Sequence, residues 1–124
     1  MTRILFVDDD PFMLSAMRRM LRKWRPDWEV EFAESGNAAL KKFSVASFDV
    51  VVSDMRMPGM TGLELLTQLR DLFPDAMRIV LSGQADVDPG DHRDVAHAWL
   101  PKPCEPELLE ATIDQRFPCE SSMP

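Results

Sequence analysis

Five side chains capable of ionic or nucleophilic chemistry stand out because each falls where an apolar run stops. Asp8 and Asp9 follow the run Arg3–Val7, Asp54 follows Phe48–Ser53, Ser82 follows Met77–Leu81, and Lys102 lies just beyond His97–Leu100. Gathered in one place, the three carboxylates would repel. Unit charges ~4 Å apart oppose each other by about 4 kcal/mol at an effective dielectric near 20. A hard divalent cation with oxygen ligands is the natural compensation, and Mg²⁺ (or Mn²⁺) commonly takes one or two carboxylates, waters and a phosphoryl oxygen. Lys102 adds one positive charge, and the Ser82 hydroxyl can donate to an incoming oxyanion. A carboxylate nucleophile beside a cation, a lysine and a hydroxyl suits phosphoryl transfer, which depends on positioning and charge neutralisation more than on covalent help.

Apolar spacing predicts the elements that must position these groups. Arg3–Val7 is a short continuous run, as in a strand buried on both faces. Pro11–Trp24 has helical spacing, with Leu14, Met17, Leu21 and Trp24 on one stripe. The cations of Arg18-Arg19 and Arg22-Lys23-Trp24-Arg25 read as the solvated side of that helix rather than as a nucleic-acid patch. Asp10 is its N-cap, Pro11 its first residue, and Pro26-Asp27 ends it. Trp28–Ala33 reads as a second strand and Ser35–Phe43 as a second helix capped by Ser35. Phe48–Ser53 contains Val50-Val51-Val52, a β-branched run typical of a central strand. Met55–Met60 is a loop marked by Pro58-Gly59. Thr61-Gly62-Leu63-Glu64 is a capping box that opens a third helix running to about Leu72.

Met77–Leu81 and His97–Leu100 complete the strands, and Glu105–Phe117 is a last helix with Pro106 near its start. Between those strands, Gln84–Val95 holds Asp88-Pro89-Gly90-Asp91. Pro and Gly are the worst residues for a helix interior, so this segment permits only a short or irregular fourth helix. Strands alternating with helices predict a doubly wound α/β domain, a five-stranded parallel sheet with helices on both faces. In such sheets the site lies at the carboxyl ends of the strands, which is where all five candidate side chains fall.

Four segments in order carry a resemblance. Val7-Asp8-Asp9-Asp10-Pro11, Ser53-Asp54-Met55-Arg56-Met57-Pro58-Gly59-Met60-Thr61-Gly62, Ser82-Gly83 and Leu100-Pro101-Lys102-Pro103 resemble the receiver domains of two-component response regulators. The resemblance implies a flavodoxin-like, CheY-like strand order of 2-1-3-4-5. It implies that Asp54 is the phosphoacceptor, and that Asp9 binds Mg²⁺ directly, Asp8 mainly through water and Arg56 through its backbone carbonyl. Lys102 and Ser82 would contact the phosphoryl group, and Pro103 would follow a cis bond. Ser82 and Trp99, the latter three residues before the lysine, would be switch residues. The side chains of Arg56 and Gln84, each two residues beyond a site residue, would tune the lifetime of the acyl phosphate. A sensor histidine kinase or phosphotransfer protein would be the donor, and an effector domain or protein the recipient of the signal. The chain would thus be a signalling phosphoacceptor rather than an enzyme.

Composition narrows the alternatives. The chain has 124 residues and a formal charge of −7, so it fits one domain, and a net acidic domain is a poor direct binder of nucleic acid. Residues 1–117 read as that domain and 118–124 as a flexible C-terminal tail. No apolar run approaches the ~18 residues needed to cross a bilayer, so a cytoplasmic, membrane-free location is expected. Cys104 and Cys119 bracket a helix of about a dozen residues, ~18 Å long. Disulfide geometry needs Cα atoms within about 7 Å, so both read as free thiols. His92 and His97 have no partner at metal-ligand spacing, and both read as ordinary. Two other function classes compete. One is an interaction module indifferent to phosphate, which leaves the acids and Lys102 without a purpose. The other is an aspartate-nucleophile phosphatase using Asp8 and Asp10, which leaves Asp54 unexplained.

Overall fold

The computed structural model describes residues 2–57, 59–83, 95–102 and 105–116. Its strands are β1 (Arg3–Val7), β2 (Glu29–Ala33), β3 (Val50–Asp54), β4 (Met77–Ser82) and β5 (Ala98–Pro101). They form one parallel sheet in the order β2-β1-β3-β4-β5, as the resemblance implied. The helices among the described residues are α1 (Pro11–Trp24), α2 (Gly36–Val45), α3 (Gly62–Leu72) and α4 (Pro106–Arg116). The short fourth helix expected in Gln84–Val95 falls almost wholly outside the described residues. So do Gln84, Pro103, both cysteines, His92 and the tail from residue 118.

Alternation along the central strands divides the core in two. Ile4, Phe6, Val50, Val52, Ile79 and Leu81 meet Leu14, Met17 and Leu21 of α1 and Leu109 and Ile113 of α4. The intervening residues Leu5, Val7, Val51 and Val80 meet α2 and α3 on the other face. A side-chain period of two thus explains why these strands read as continuous apolar runs. The caps also follow the sequence. Asp10 accepts from the amides of Phe12 and Met13, Ser35 from Ala38, and Thr61 and Glu64 form the reciprocal box.

Several boundaries move by a residue or two for identifiable reasons. β2 starts at Glu29, because Trp28 turns into the α1 side of the core instead of extending the strand. Asp54 and Ser82 end β3 and β4 rather than following them. β5 starts at Ala98, one residue after the expected His97. The His97 ring is not idle, since its Nδ1 accepts from the Arg78 amide at 2.9 Å.

Two readings of α1 are corrected. Trp24 does not share the buried stripe. It is 43% exposed, and its indole N–H donates to Glu110 on α4 at 2.9 Å. Arg25 is not solvated. It is buried, stacks over the Trp28 ring, and donates to Asp27, Glu110 and Asp114. A guanidinium has five donors in a rigid fork, so one side chain can close the end of α1 onto α4 in this way. Arg25→Ala is expected to lower the unfolding free energy by about 1–3 kcal/mol at neutral pH, the range for an ion pair whose acids keep some solvent. The Arg25 hydrogen bond holds the Asp27 carboxyl below its usual range. That contribution is complete above the ordinary aspartate pKa and lost as pH falls through the depressed value. The gap between wild type and variant in urea denaturation should therefore narrow as the pH is lowered through the carboxylate range.

Candidate functional site

The carboxyl ends of β1 and β3 lie side by side, because the two strands pair in parallel register from Ile4 with Val50 to Val7 with Ser53. Asp8 and Asp9 leave the first strand, and Asp54 closes the second. Each offers one carboxylate oxygen to a group whose atoms all lie within 4.8 Å of one another. Asp8 and Asp54 are buried and Asp9 is exposed. Lys102 arrives from beyond β5, with its Nζ against Asp54 Oδ1. Its backbone is tied in place by an N–H bond to the Ser82 carbonyl at 2.9 Å.

The backbone around these acids is held closely. The Asp10 amide donates to Asp8 Oδ1 at 3.0 Å, and the Asp8 amide donates to the Ala33 carbonyl of β2 at 3.1 Å. Ser53 Oγ donates to the Asp54 carbonyl at 3.0 Å, and the Arg56 amide makes a long 3.5 Å bond to Asp54 Oδ1. Gly62, at the start of α3, is required by packing. A Cβ there would overlap the Asp54 carbonyl oxygen, while the Gly62 amide donates to the Met55 carbonyl at 3.0 Å. Sequence reasoning placed Gly62 in a capping box and in a segment that carries the resemblance, without the contact that requires it. Its closeness to Asp54 has no local signal, and neither does the Ser53 hydroxyl beneath it.

Electrostatics matches the crowding. Burial pushes the Asp8 carboxyl above its usual range, and the charges of Asp54 and Asp9 push the same way, against the Asp10 amide and Lys102. Unit charges ~5 Å apart repel by about 3 kcal/mol at an effective dielectric near 20. The donor set is all oxygen, anionic and closely spaced, which fits a small hard divalent cation such as Mg²⁺ and gives no foothold to a soft metal. Ser82 and Trp99 are half-buried and share one face of the sheet, since Trp99 pairs with Val80 and Ser82 lies two residues further along β4. Trp99 packs against the α2–α3 side of the core, and its indole N–H is buried with no acceptor among the described residues. Arg56 is exposed beside the acids.

The chain belongs to the response regulator receiver domain family, whose pattern it matches over residues 4–114. It is 33% identical over 115 residues to the hydrogenase transcriptional regulatory protein HoxA of Cupriavidus necator. That match covers 90% of this chain and 23% of HoxA, so the chain spans under a quarter of that relative's length. Among solved structures it is similar to a response regulator receiver domain protein from Clostridium thermocellum, with TM-score 0.83, 28% identity and 93% of each chain covered. It is also similar to the response regulator TrrA of Thermotoga maritima, solved in complex with Mg²⁺-BeF, with TM-score 0.79 and 31% identity over 93% of this chain and 98% of that one. No described helix is long and apolar enough to cross a membrane.

The raised carboxyl of Asp8 has a stability consequence. A folded-state pKa above the ordinary value contributes stability below that ordinary value, and the contribution is lost as pH rises through the raised one. At neutral pH and without divalent cations, Asp8→Asn is therefore expected to raise the thermal midpoint. The advantage should shrink on acidification, as the wild-type carboxyl takes up its proton. Differential scanning calorimetry across pH reads both trends, and a variant less stable than wild type at neutral pH would contradict them.

Proposed function

We propose that the chain is a phosphoacceptor switch in which Asp54 takes a phosphoryl group from a sensor histidine kinase or phosphotransfer protein. The observation that carries this reading is the convergence of Asp8, Asp9 and Asp54 beside Lys102 at the strand ends. Asp8, Asp9, Asp54 and the backbone carbonyl of Arg56 would hold Mg²⁺ (or Mn²⁺). When bound, such a cation supplies positive charge to the transferring oxygens and relieves the repulsion among the acids.

The chain's own groups have separable tasks. The free Asp54 oxygen attacks phosphorus in line, forming a P–O bond as the P–N bond to the donor imidazole breaks, and the imidazole departs with the bonding pair. Lys102 neutralises charge on the transferred group, and the central strands keep the nucleophile from retreating. The product carries close to two negative charges. Ser82 moves to donate to a phosphoryl oxygen, and Trp99, on the same face, repacks into the space released. This shifts a population between two arrangements of the surface around β5, which an effector reads. Any contact with nucleic acid belongs to such an effector, because this domain is acidic and HoxA, a transcriptional regulator, is several times longer than the matched stretch.

Incubation with acetyl phosphate and Mg²⁺ should add one phosphoryl mass at Asp54, detected by intact mass spectrometry. Chelation with EDTA or the substitution Asp54→Asn should abolish it. Labelling that persists in Asp54→Asn, or that maps to Asp8, would overturn the assignment in favour of a phosphatase-like nucleophile. The side chains of Arg56 and Gln84 govern water access to the acyl phosphate in this reading. Autodephosphorylation in Arg56→Ala and Gln84→Ala should thus change severalfold, and unchanged rates in both would remove that role.

A further inference from the structure

The open edge of the sheet at β2 carries a second surface, whose groove is lined by none of the strand-end acids. The Glu29 amide donates to the Thr2 carbonyl at 2.8 Å, and the Ala33 carbonyl accepts from Asp8 at 3.1 Å. A parallel ladder alternates, so Glu29, Glu31 and Ala33 face β1. The amides and carbonyls of Val30 and Phe32 are left on the outer edge. Along that edge runs a groove of about 530 Å³ whose lining includes Arg18, Arg22, Trp28, Val30 and Phe32. It adjoins a second hollow of about 350 Å³ that shares Arg18, Phe32 and Lys42 and reaches to Pro11 and Ala38.

The chemistry of the walls differs on the two sides. On the α1 side Arg18 stacks over the Phe32 ring at 4.9 Å, and no carboxylate of the described residues pairs with Arg18 or Arg22. On the α2 side charge is already balanced, with Glu31 bridged to both Arg3 and Lys42. Trp28 is 6% exposed in the groove wall, and its indole N–H has no acceptor among the described residues.

We propose that this groove is a strand-addition site that takes an extended, acidic segment of a partner protein alongside β2. Peptides added to a sheet edge gain main-chain hydrogen bonds, while alternate side chains set specificity. Here the parity is defined: side chains on the α1 face meet Arg18 and Arg22 and should be acidic, and those on the α2 face meet a neutralised surface and should be uncharged. A second copy of this chain is a poor occupant. Pairing β2 with β2 about a two-fold axis at Glu31 sets that residue opposite its own copy and brings the α1 arginines toward each other. Phosphate-rich nucleic acid is a poor occupant because it has no peptide backbone to complete the hydrogen bonds that Val30 and Phe32 leave open on the outer edge.

The test uses the full chain and a synthetic peptide alternating Glu and Thr, about seven residues long so as to span β2 at ~3.3 Å per residue. Binding should shift and protect the amides of Val30 and Phe32 in two-dimensional NMR and hydrogen exchange. The double substitution Arg18→Glu with Arg22→Glu should weaken it by about tenfold or more and favour the matching Lys–Thr peptide instead. Of two peptides of the same charge, one N-methylated at every Glu and the other at every Thr, one should fail, because its methyl groups occupy the amides that pair with the edge. Asp54→Asn should bind as well as wild type, which separates this surface from the proposed phosphoryl chemistry. Equal binding of both N-methylated peptides, shifts away from β2, or indifference to the arginine reversal would each overturn the proposal.

Discussion

Negative charge is crowded at one end of the sheet, and the rest of the molecule is arranged so that the crowding cannot relax. Asp8 and Asp54 are 6% and 5% exposed, at the ends of neighbouring strands that are buried on both faces. Asp9 stands beside them, and Lys102 is the one cation in direct contact with the group among the described residues. Three carboxylates against one ammonium leave two negative charges. Separating the acids would mean breaking the β1–β3 register, and with it the packing of Val50, Val51 and Val52 on both sides of the sheet. The amino end of α1 and the amide of Asp10 help a little, since a helix N-terminus and a donated N–H favour anions. They do not offset burial, because the Asp8 carboxyl remains above its usual range. A site in this condition is organised to receive positive charge.

At the other end of the strands the same kinds of group are closed off. The Arg3 guanidinium reaches Glu31 at 2.9 Å and the Ser47 carbonyl at 3.0 Å. Arg78 is buried with its guanidinium on the carbonyls of Val95 and Ala76. Arg25 joins the end of α1 to α4 through Glu110 and Asp114, and Asp27 beside it holds the guanidinium in place. In a parallel sheet every strand starts at one end and finishes at the other, so stability and chemistry can be assigned to opposite rims of one core. Arg3, Arg25 and Arg78 follow that division by satisfying carbonyls and carboxylates at the starting rim, whereas Arg56 stands exposed beside the acids at the finishing rim.

This division explains what could be read from the sequence. Element order and the placing of Asp8, Asp9, Asp54 and Lys102 at strand ends followed from short local patterns (β-branched runs, caps and polar residues at run ends), while the strand order came from the family resemblance. The Thr61–Glu64 box and the Asp10-Pro11 start are local chemistry and were legible for that reason. Arg25 and Trp24 were misread because their partners, Glu110 and Asp114, lie 85 or more residues away. A cation at the end of a basic helix looks solvated until the helix that covers it is in place. Gly62 is a similar case. Its need for a bare Cα comes from the Asp54 carbonyl on a different element.

Asp8 and Asp27 show how structure separates groups that sequence cannot. Both are aspartates just past the end of a regular element, with a charged residue within two positions. The fold moves their carboxyls in opposite directions: Asp27 below its usual range through a hydrogen bond from Arg25, Asp8 above it through burial and like charges. A depressed value means that folding strengthens the charged form, so the charge serves the fold and needs nothing more. A raised value means that the folded state keeps the carboxylate against its own stability. Such a carboxylate is stabilised by any positive charge brought beside it, as Lys102 already does in part. Burial and the neighbouring charges together set the direction for Asp8, so the same side chain type is held at one place by an arginine and at the other by a crowded strand end.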